Sequence, residues 1–303
     1  MKTLRTTALL AMLILALFAM GCTAQDQPAE DAAPAPANTV TETPVLKLGA
    51  IPDQNQAKLN RRFTELATYI GQETGYQVEY VETVDYAALV TAFERGEVQL
   101  AWFGGLTGVQ ARNLVEDAEA IAQRPRDEQF HSVFVADKGL GLSSLEDIKG
   151  HRLTFGSENS TSGHLMPRHF MMEAGLDLDA DLDGQVNYSG SHDKTWKLVE
   201  SGAFQVGALN EAVWERAVAE GSVDLDKIDV FYTTPAYYDY NWTVGNLGDF
   251  DAEAKGKIQD ALLSFGEAKP EIMELFSDDR FIATTNENYN AILEVAKALG
   301  IIQ

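Results

Sequence analysis

From Val45 onward the chain alternates short apolar runs with amphipathic stretches, and this alternation limits its fold more than any other feature. The run "VLKLGAI" reads as a strand, and "AKLNRRFTELATYIGQETG" sets Leu59, Phe63, Leu66 and Ile70 at helical spacing before Gly75 stops it. "YQVEYVET", the helix "DYAALVTAFERG" with Asp85 as its N-cap, and the strand "VQLAWFGG" continue the series. Further on, "HSVFVADKG", "HRLTFGS", "GQVNYSG" and "FQVGALN" keep the strand pattern, with helices after "STSG", at "HDKTWKLVESG" and at "EAVWERAVAEG". Strands separated by helices imply an α/β fold with mainly parallel sheets covered on both faces. Helices from about 251 to 266 and from 286 to 299 close the chain, with no strand pattern read between them.

Ahead of this series the chain is of another kind. Residues 1–21 carry Lys2 and Arg5, then an apolar run to Met20, the layout of a secretory signal peptide and too short for a membrane span. Cys22, the only cysteine, follows a small residue as in a bacterial lipobox and is the expected lipidation site, although Ala19 and Met20 depart from the usual pattern. A single cysteine excludes an intramolecular disulfide framework, so a packed core must stabilise the domain. Residues 22–44, rich in Ala, Pro, Asp, Glu and Thr, cannot bury enough apolar surface to order themselves and read as an acidic tether. The net charge of −23 argues against nucleic acid, which needs a basic footprint.

Ligands of open α/β sheets bind beyond the carboxyl ends of strands, where helices begin. The turn "SENSTSG" sits at such a place, and amides at a helix mouth, with the helix dipole, hold an oxyanion without Lys or Arg. Ser160, Thr161 and Ser162 add hydroxyls, and Gly163 lets the backbone come close; helix capping is the plainer use of the same residues. Pro167 places the helix start between Ser162 and Leu165. "WFGGLTG" offers Gly104 and Gly105 for close approach, with Trp102 either an apolar wall or core. "YSGSHDKTW" opens a helix with Ser191, His192 and Asp193, "VGALNEAVW" puts Asn210 at another mouth, and "AIPDQNQ" reads as a cap for the first helix. "TTPAYYDYNWTVG" supplies Tyr238 and Tyr240, rings with polar tips suited to a cleft or to an interface between lobes.

Other chemistries fit poorly. His164 and His169 are five apart, which does not share a helix face, and no Cys or acidic pair completes a metal set, so Met166, Met171 and Met172 read as core filler. "NSTSG" has Asn159 where a nucleophile elbow needs Gly, which argues against a serine enzyme. Neither a metal nor another cofactor is expected.

Three segments taken in order, "DYAALVTAFERGEVQLAWFGGLTGV", "SLEDIKGHRLTFGSENSTSGHLMPRHFM" and "GSHDKTWKLVESGAFQVGALNEAVWER", resemble the solute-binding proteins of phosphonate, phosphite and phosphate ABC importers. "STSGHLMPRHF", "GSHDKTWKLVE" and "TTPAYYDYNW" are most similar to a subgroup labelled selenate-binding. The resemblance implies a type II periplasmic binding protein with two lobes joined by two crossovers: 45–138, 139–232 and a return to the first lobe over 233–303. It also implies an oxyanion held by Ser160, Thr161 and Ser162, a donor at His192, and cleft-lining turns at Gly104 and Asn210. The implied partners are membrane permease subunits, with the protein a lipid-anchored monomer outside the cytoplasm; a sensory lipoprotein is the alternative. "FGG" and "SENSTSG" stand where the phosphonate pattern often reads "FGP" and "DPxSTSG", so the ligand stays open between phosphorus oxyanions and selenate or sulfate. Glu158, Asp193 and Asp239 are the carboxylates that could accept a ligand proton.

Overall fold

The computed structural model describes residues 44–302, so the leader, Cys22 and the tether lie outside the described residues. The first sheet is built from β1 (Val45–Ala50), β2 (Gln77–Val81), β3 (Leu100–Phe103), β4 (Glu119–Gln123), β10 (Asn241–Val244) and β11 (Ile282–Ala283). The second contains β5 (Ser132–Asp137), β6 (Leu153–Phe155), β7 (Asn187–Tyr188), β8 (Val206–Asn210) and β9 (Ile228–Thr233). Their orders, β2-β1-β3-β10-β4-β11 and β7-β6-β8-β5-β9, follow one plan. Each lobe sets its own parallel trio beside one antiparallel strand that has just arrived from the other lobe.

That plan corrects two expectations. The sheets are mixed, because β10 runs antiparallel to β3 and β4, and β5 runs antiparallel to β8 and β9. The first passage between sheets follows Gln123 and not residue 138: β5 completes its ladder with β8 and β9 in the second sheet. The second passage follows Thr233. Strands β4, β9, β10 and β11, the last only two residues long, were not recognised in the sequence.

Helix α1 (Gln56–Thr74) buries Leu59, Phe63, Leu66 and Ile70 as its periodicity requires, is capped by Asn55, and ends on Gly75 in the left-handed conformation. Helices α2 (Tyr86–Glu94), α3 (Gly105–Leu114), α7 (Ala254–Ala268), the short α8 (Pro270–Met273) and α9 (Asn290–Ala298) belong with the first sheet; α4 (Met166–Glu173), α5 (His192–Glu200) and α6 (Glu211–Ala219) belong with the second. The helix of the hydroxyl motif begins earlier than Pro167 suggested, as a wide π-type turn over Thr161–Leu165 that leads into α4. Among the described residues no helix is long and apolar enough to cross a membrane.

The two passages are laced together. Phe130 and Tyr237 exchange backbone hydrogen bonds of 2.8 and 3.0 Å, and Asp127 accepts from the amides of Asp239 and Tyr240 at 3.2 and 3.3 Å. Arg124 grips the buried Asp127 carboxylate with two bonds of 2.7 and 2.6 Å, which holds the guanidinium firmly charged. Removing one member of such a pair costs about 3–5 kcal/mol, because the other charge stays buried alone.

Candidate functional site

Four strand ends of parallel series converge between the lobes: β1 into Asp53, β3 into Gly104, β6 into Ser160 and β8 into Asn210. Ser160 caps the π-type turn, its Oγ accepting from the Gly163 amide at 2.9 Å. Thr161 and Ser162 follow at the mouth, where amides have no intrahelical acceptor. All three hydroxyl residues are buried. Gly163 is required here, since a Cβ on it would meet His192 Cε1 and Ser160 Oγ, each at 2.9 Å.

The glycine mouth of α3 is arranged differently. Gly105 donates its amide to Asp239 Oδ1 at 2.9 Å, and Leu106 donates to Thr161 Oγ1 at 2.9 Å. Both donors are thus consumed by side chains of this chain. Gly104 and Gly105 let those side chains close in: a Cβ on Gly104 would stand 3.1 Å from Thr161 Oγ1 and 3.3 Å from Asp239 Oδ1.

His192 is wholly buried, and its pKa is lowered to about 4 by burial, against the pull of Asp53 and Asp193. It is therefore neutral at physiological pH. Its Nδ1 accepts from the Asn210 amide at 3.3 Å, which leaves the proton on Nε2, a buried donor without a partner in the protein. Asn210 caps α6 through Oδ1 and gives Nδ2 to the Tyr240 hydroxyl at 2.9 Å; Tyr240 in turn donates to Asp53 Oδ2 at 2.8 Å. Asp53 Oδ1 and the Tyr86 hydroxyl are likewise buried and unpartnered, and Tyr86 lies beside Ser160.

Of the three carboxylates considered, only Asp239 enters the site. Glu158 is exposed and contributes only its carbonyl, to His164 Nδ1 at 2.7 Å. Asp193 faces Ser191 Oγ at 2.8 Å and Lys197. Asp239 is 1% exposed; burial pushes its pKa up to about 7, against the Gly105 amide and the nearby hydroxyls of Thr161 and Ser162. Its Oδ2 makes no hydrogen bond.

Other expected residues fall elsewhere. Tyr238 turns away and packs on Tyr289, ring centres 5.8 Å apart, while Tyr237 and Asp239 on either side turn inward. Trp102 stands one layer back, stacked on Tyr240 at 5.4 Å. Ser191 spends its hydroxyl on Asp193. His164 and His169 diverge, the first bonded to Glu158 and Tyr188, the second near Glu173. Asp53, Tyr86 and Tyr237 were missed; the only hint was that "DQN" holds two cap-competent residues, Asp53 and Asn55, where one cap suffices.

Burying a donor or acceptor unpaired costs about 1–3 kcal/mol, so orphans gathered at one place mark a site built for a polar guest. His192 Nε2–H, the Tyr86 hydroxyl and the turn at Ser160–Ser162 are donors; Asp239 Oδ2 is an acceptor near neutrality.

Comparison with known proteins identifies the family. Residues 48–289 match the family described as ABC transporter, phosphonate, periplasmic substrate-binding protein. A probable ABC transporter phosphite binding protein, PhnD1, of Prochlorococcus marinus (strain MIT 9301) is 40% identical over 270 residues, 86% of this chain and 91% of that one. The crystal structure of that PhnD1 with methylphosphonate superposes with a TM-score of 0.82 at 38% identity, covering 85% of this chain and 99% of the other. The phosphonates-binding periplasmic protein of Escherichia coli (strain K12) is 23% identical over 245 residues, 78% of this chain and 70% of its own length. The chain therefore belongs to the phosphonate-binding periplasmic substrate-binding proteins of ABC transporters, with the type II two-lobe fold.

Proposed function

We propose that this protein captures a small phosphorus oxyanion, phosphite or methylphosphonate, between its lobes and delivers it to membrane permease subunits, with no covalent chemistry. The observation that carries the reading is the buried set of neutral donors facing Asp239 Oδ2, with Asp53 Oδ1 the other unpartnered carboxylate oxygen. Ser160, Thr161, Ser162, Tyr86 and His192 Nε2–H donate to the anionic oxygens, and the dipole of the turn adds to them. Asp239 shares one proton with the ligand. Phosphonates, phosphite and phosphate give up their last proton near neutrality and can bring it along. Sulfate and selenate are fully ionised and must meet Asp239 protonated or be repelled.

Burial of the surrounding groups favours a small guest. The net charge of −23 is no obstacle, because the acidic surface is screened beyond about 8 Å while the donors are in contact. Cys22, as a lipid anchor, would hold the protein at the outer face of a membrane as a monomer. The close likeness to a phosphite-binding relative favours import over sensing.

A thermal-shift series with phosphite, methylphosphonate, phosphate, selenate and sulfate tests the reading. Phosphite and methylphosphonate should raise Tm most, as linkage requires of a ligand that prefers the folded state. The reading fails if none of the five does.

A further inference from the structure

One helix of the second lobe touches the first lobe far more than its ligand role requires. Helix α6 begins at the site residue Asn210, and its charged side chains all reach outward. Glu211 and Glu215 face Arg126 of the first crossover at 3.7 and 2.9 Å. Just beyond the helix, Glu220 takes Lys58 of α1 at 2.7 Å, although both side chains are more than 40% exposed, where such pairs are worth little. Arg216 is the exception. Half-buried, it donates one guanidinium nitrogen to the Glu274 carbonyl and to Ser277 Oγ, the latter at 2.8 Å, both in the first lobe.

The receiving residue is itself unusual. Ser277 has φ 62° and ψ 35°, and it is the only non-glycine residue with positive φ among the described residues. A side chain in the left-handed region is strained, and such strain persists where a contact requires it. Glycine would relieve it but would carry no hydroxyl for Arg216. Behind the contact, a cavity of about 10 Å³ is lined by Asp53, Asn210, Arg216, Tyr240 and Ser277, among others, so the contact adjoins the hydrogen-bond chain of the ligand site.

We propose that Arg216 and the strained Ser277 turn form a clasp that holds the lobes shut and sets how fast ligand leaves. The proposal rests on the ligand reading above only for what is released. Arg216 is a positioning residue in this scheme and touches no ligand. Because it joins the lobes only when they meet, it slows opening and leaves capture by the open form unchanged.

The test compares Arg216→Gln, Arg216→Lys and Ser277→Gly in the purified protein. Release of methylphosphonate, followed by stopped-flow tryptophan fluorescence, should quicken about tenfold in Arg216→Gln, with association changed less than twofold. Arg216→Lys should release ligand more slowly than Arg216→Gln, since a single guanidinium nitrogen makes both bonds and an ammonium also offers several N–H donors from one atom. Ser277→Gly should speed release while Tm stays level or rises; a residue with only a structural role would lose both together. A second measurement needs no ligand. Spin labels at Val84→Cys and Leu225→Cys, with Cys22→Ser, report lobe separation, and Arg216→Gln should shift ligand-free protein toward the longer distance. If methylphosphonate does not bind, the ligand reading fails while the label distances still judge the clasp. Unchanged release and unchanged distances in Arg216→Gln would overturn it.

Discussion

The chain makes two similar mouths, a strand running into a turn of small residues and then a helix, and uses them for opposite purposes. At Gly104–Gly105 the first amides of α3 are taken by Asp239 and Thr161, so this mouth is a frame that holds side chains. At Ser160–Ser162 the proposed guest takes the leading amides and two of the hydroxyls. Thr161 belongs to both, since it sits in the second mouth and accepts from the first. The contrast teaches that a helix mouth becomes a ligand site only where the chain does not already fill it. Glycine in such a turn can serve a neighbouring side chain as readily as a ligand.

Separating the two mouths by mutation gives the largest expected effect first. Ser160→Ala with Ser162→Ala removes two hydrogen bonds to a charged ligand, each worth about 1.5–3 kcal/mol, so calorimetry should show Kd rising about 100-fold or more. Ligand-free stability should fall by only about 1 kcal/mol, the value of the Ser160 cap. Thr161→Val strikes the frame instead: the buried Leu106 amide loses its acceptor, and denaturant unfolding of the ligand-free protein should reveal a loss of about 1–3 kcal/mol. If Thr161→Val weakened binding alone, the division between frame and site would collapse.

Asp239 sharpens the comparison through pH. Its folded-state pKa lies above the unfolded carboxylate value of about 3.9, so it contributes stability that is full below about pH 4 and is lost as pH rises through about 7. Asp239→Asn removes that dependence. The Tm of the variant minus that of the parent protein should therefore increase from pH 5 to pH 8; a flat difference would mean that Asp239 titrates normally. His164 and His192, both lowered to about 4, act in the opposite sense but cancel in this difference. The smallest effect belongs to Gly105→Ala, whose Cβ would stand 3.2 Å from the Tyr238 carbonyl and 3.4 Å from Ile292 and Thr161. It should cost about 1 kcal/mol in denaturant unfolding, with Kd little changed.

What could be read in the sequence was local. The stripe of α1 and the cap at Asp85 depend on neighbours in the chain, and the structure places them as read, while the helix of the hydroxyl turn opens earlier than Pro167 suggested. Long-range choices were hidden. Nothing in "HSVFVADKG" reveals that β5 pairs with β8, more than seventy residues later, and that choice moved the lobe boundary. Strand β10 was masked because its aromatic neighbours suggested a ligand wall, whereas Trp242 is core and Tyr240 braces Asp53. Asp53 was read beside a cap, and Asn55 took the cap and left Asp53 to face the cleft. Asp239 was one of three carboxylates with equal claims, and only burial separates it from Glu158 and Asp193.

In the proposed mechanism one proton, shared between Asp239 and the ligand, selects phosphorus oxyanions. Isothermal titration of the purified protein with methylphosphonate and with sulfate, at pH 6 and at pH 8, tests it most directly. The preference for methylphosphonate should widen by about tenfold or more at pH 8, where Asp239 is ionised and sulfate brings no proton. Asp239→Asn should abolish this widening. Equal affinity for the two anions at both pH values would contradict it.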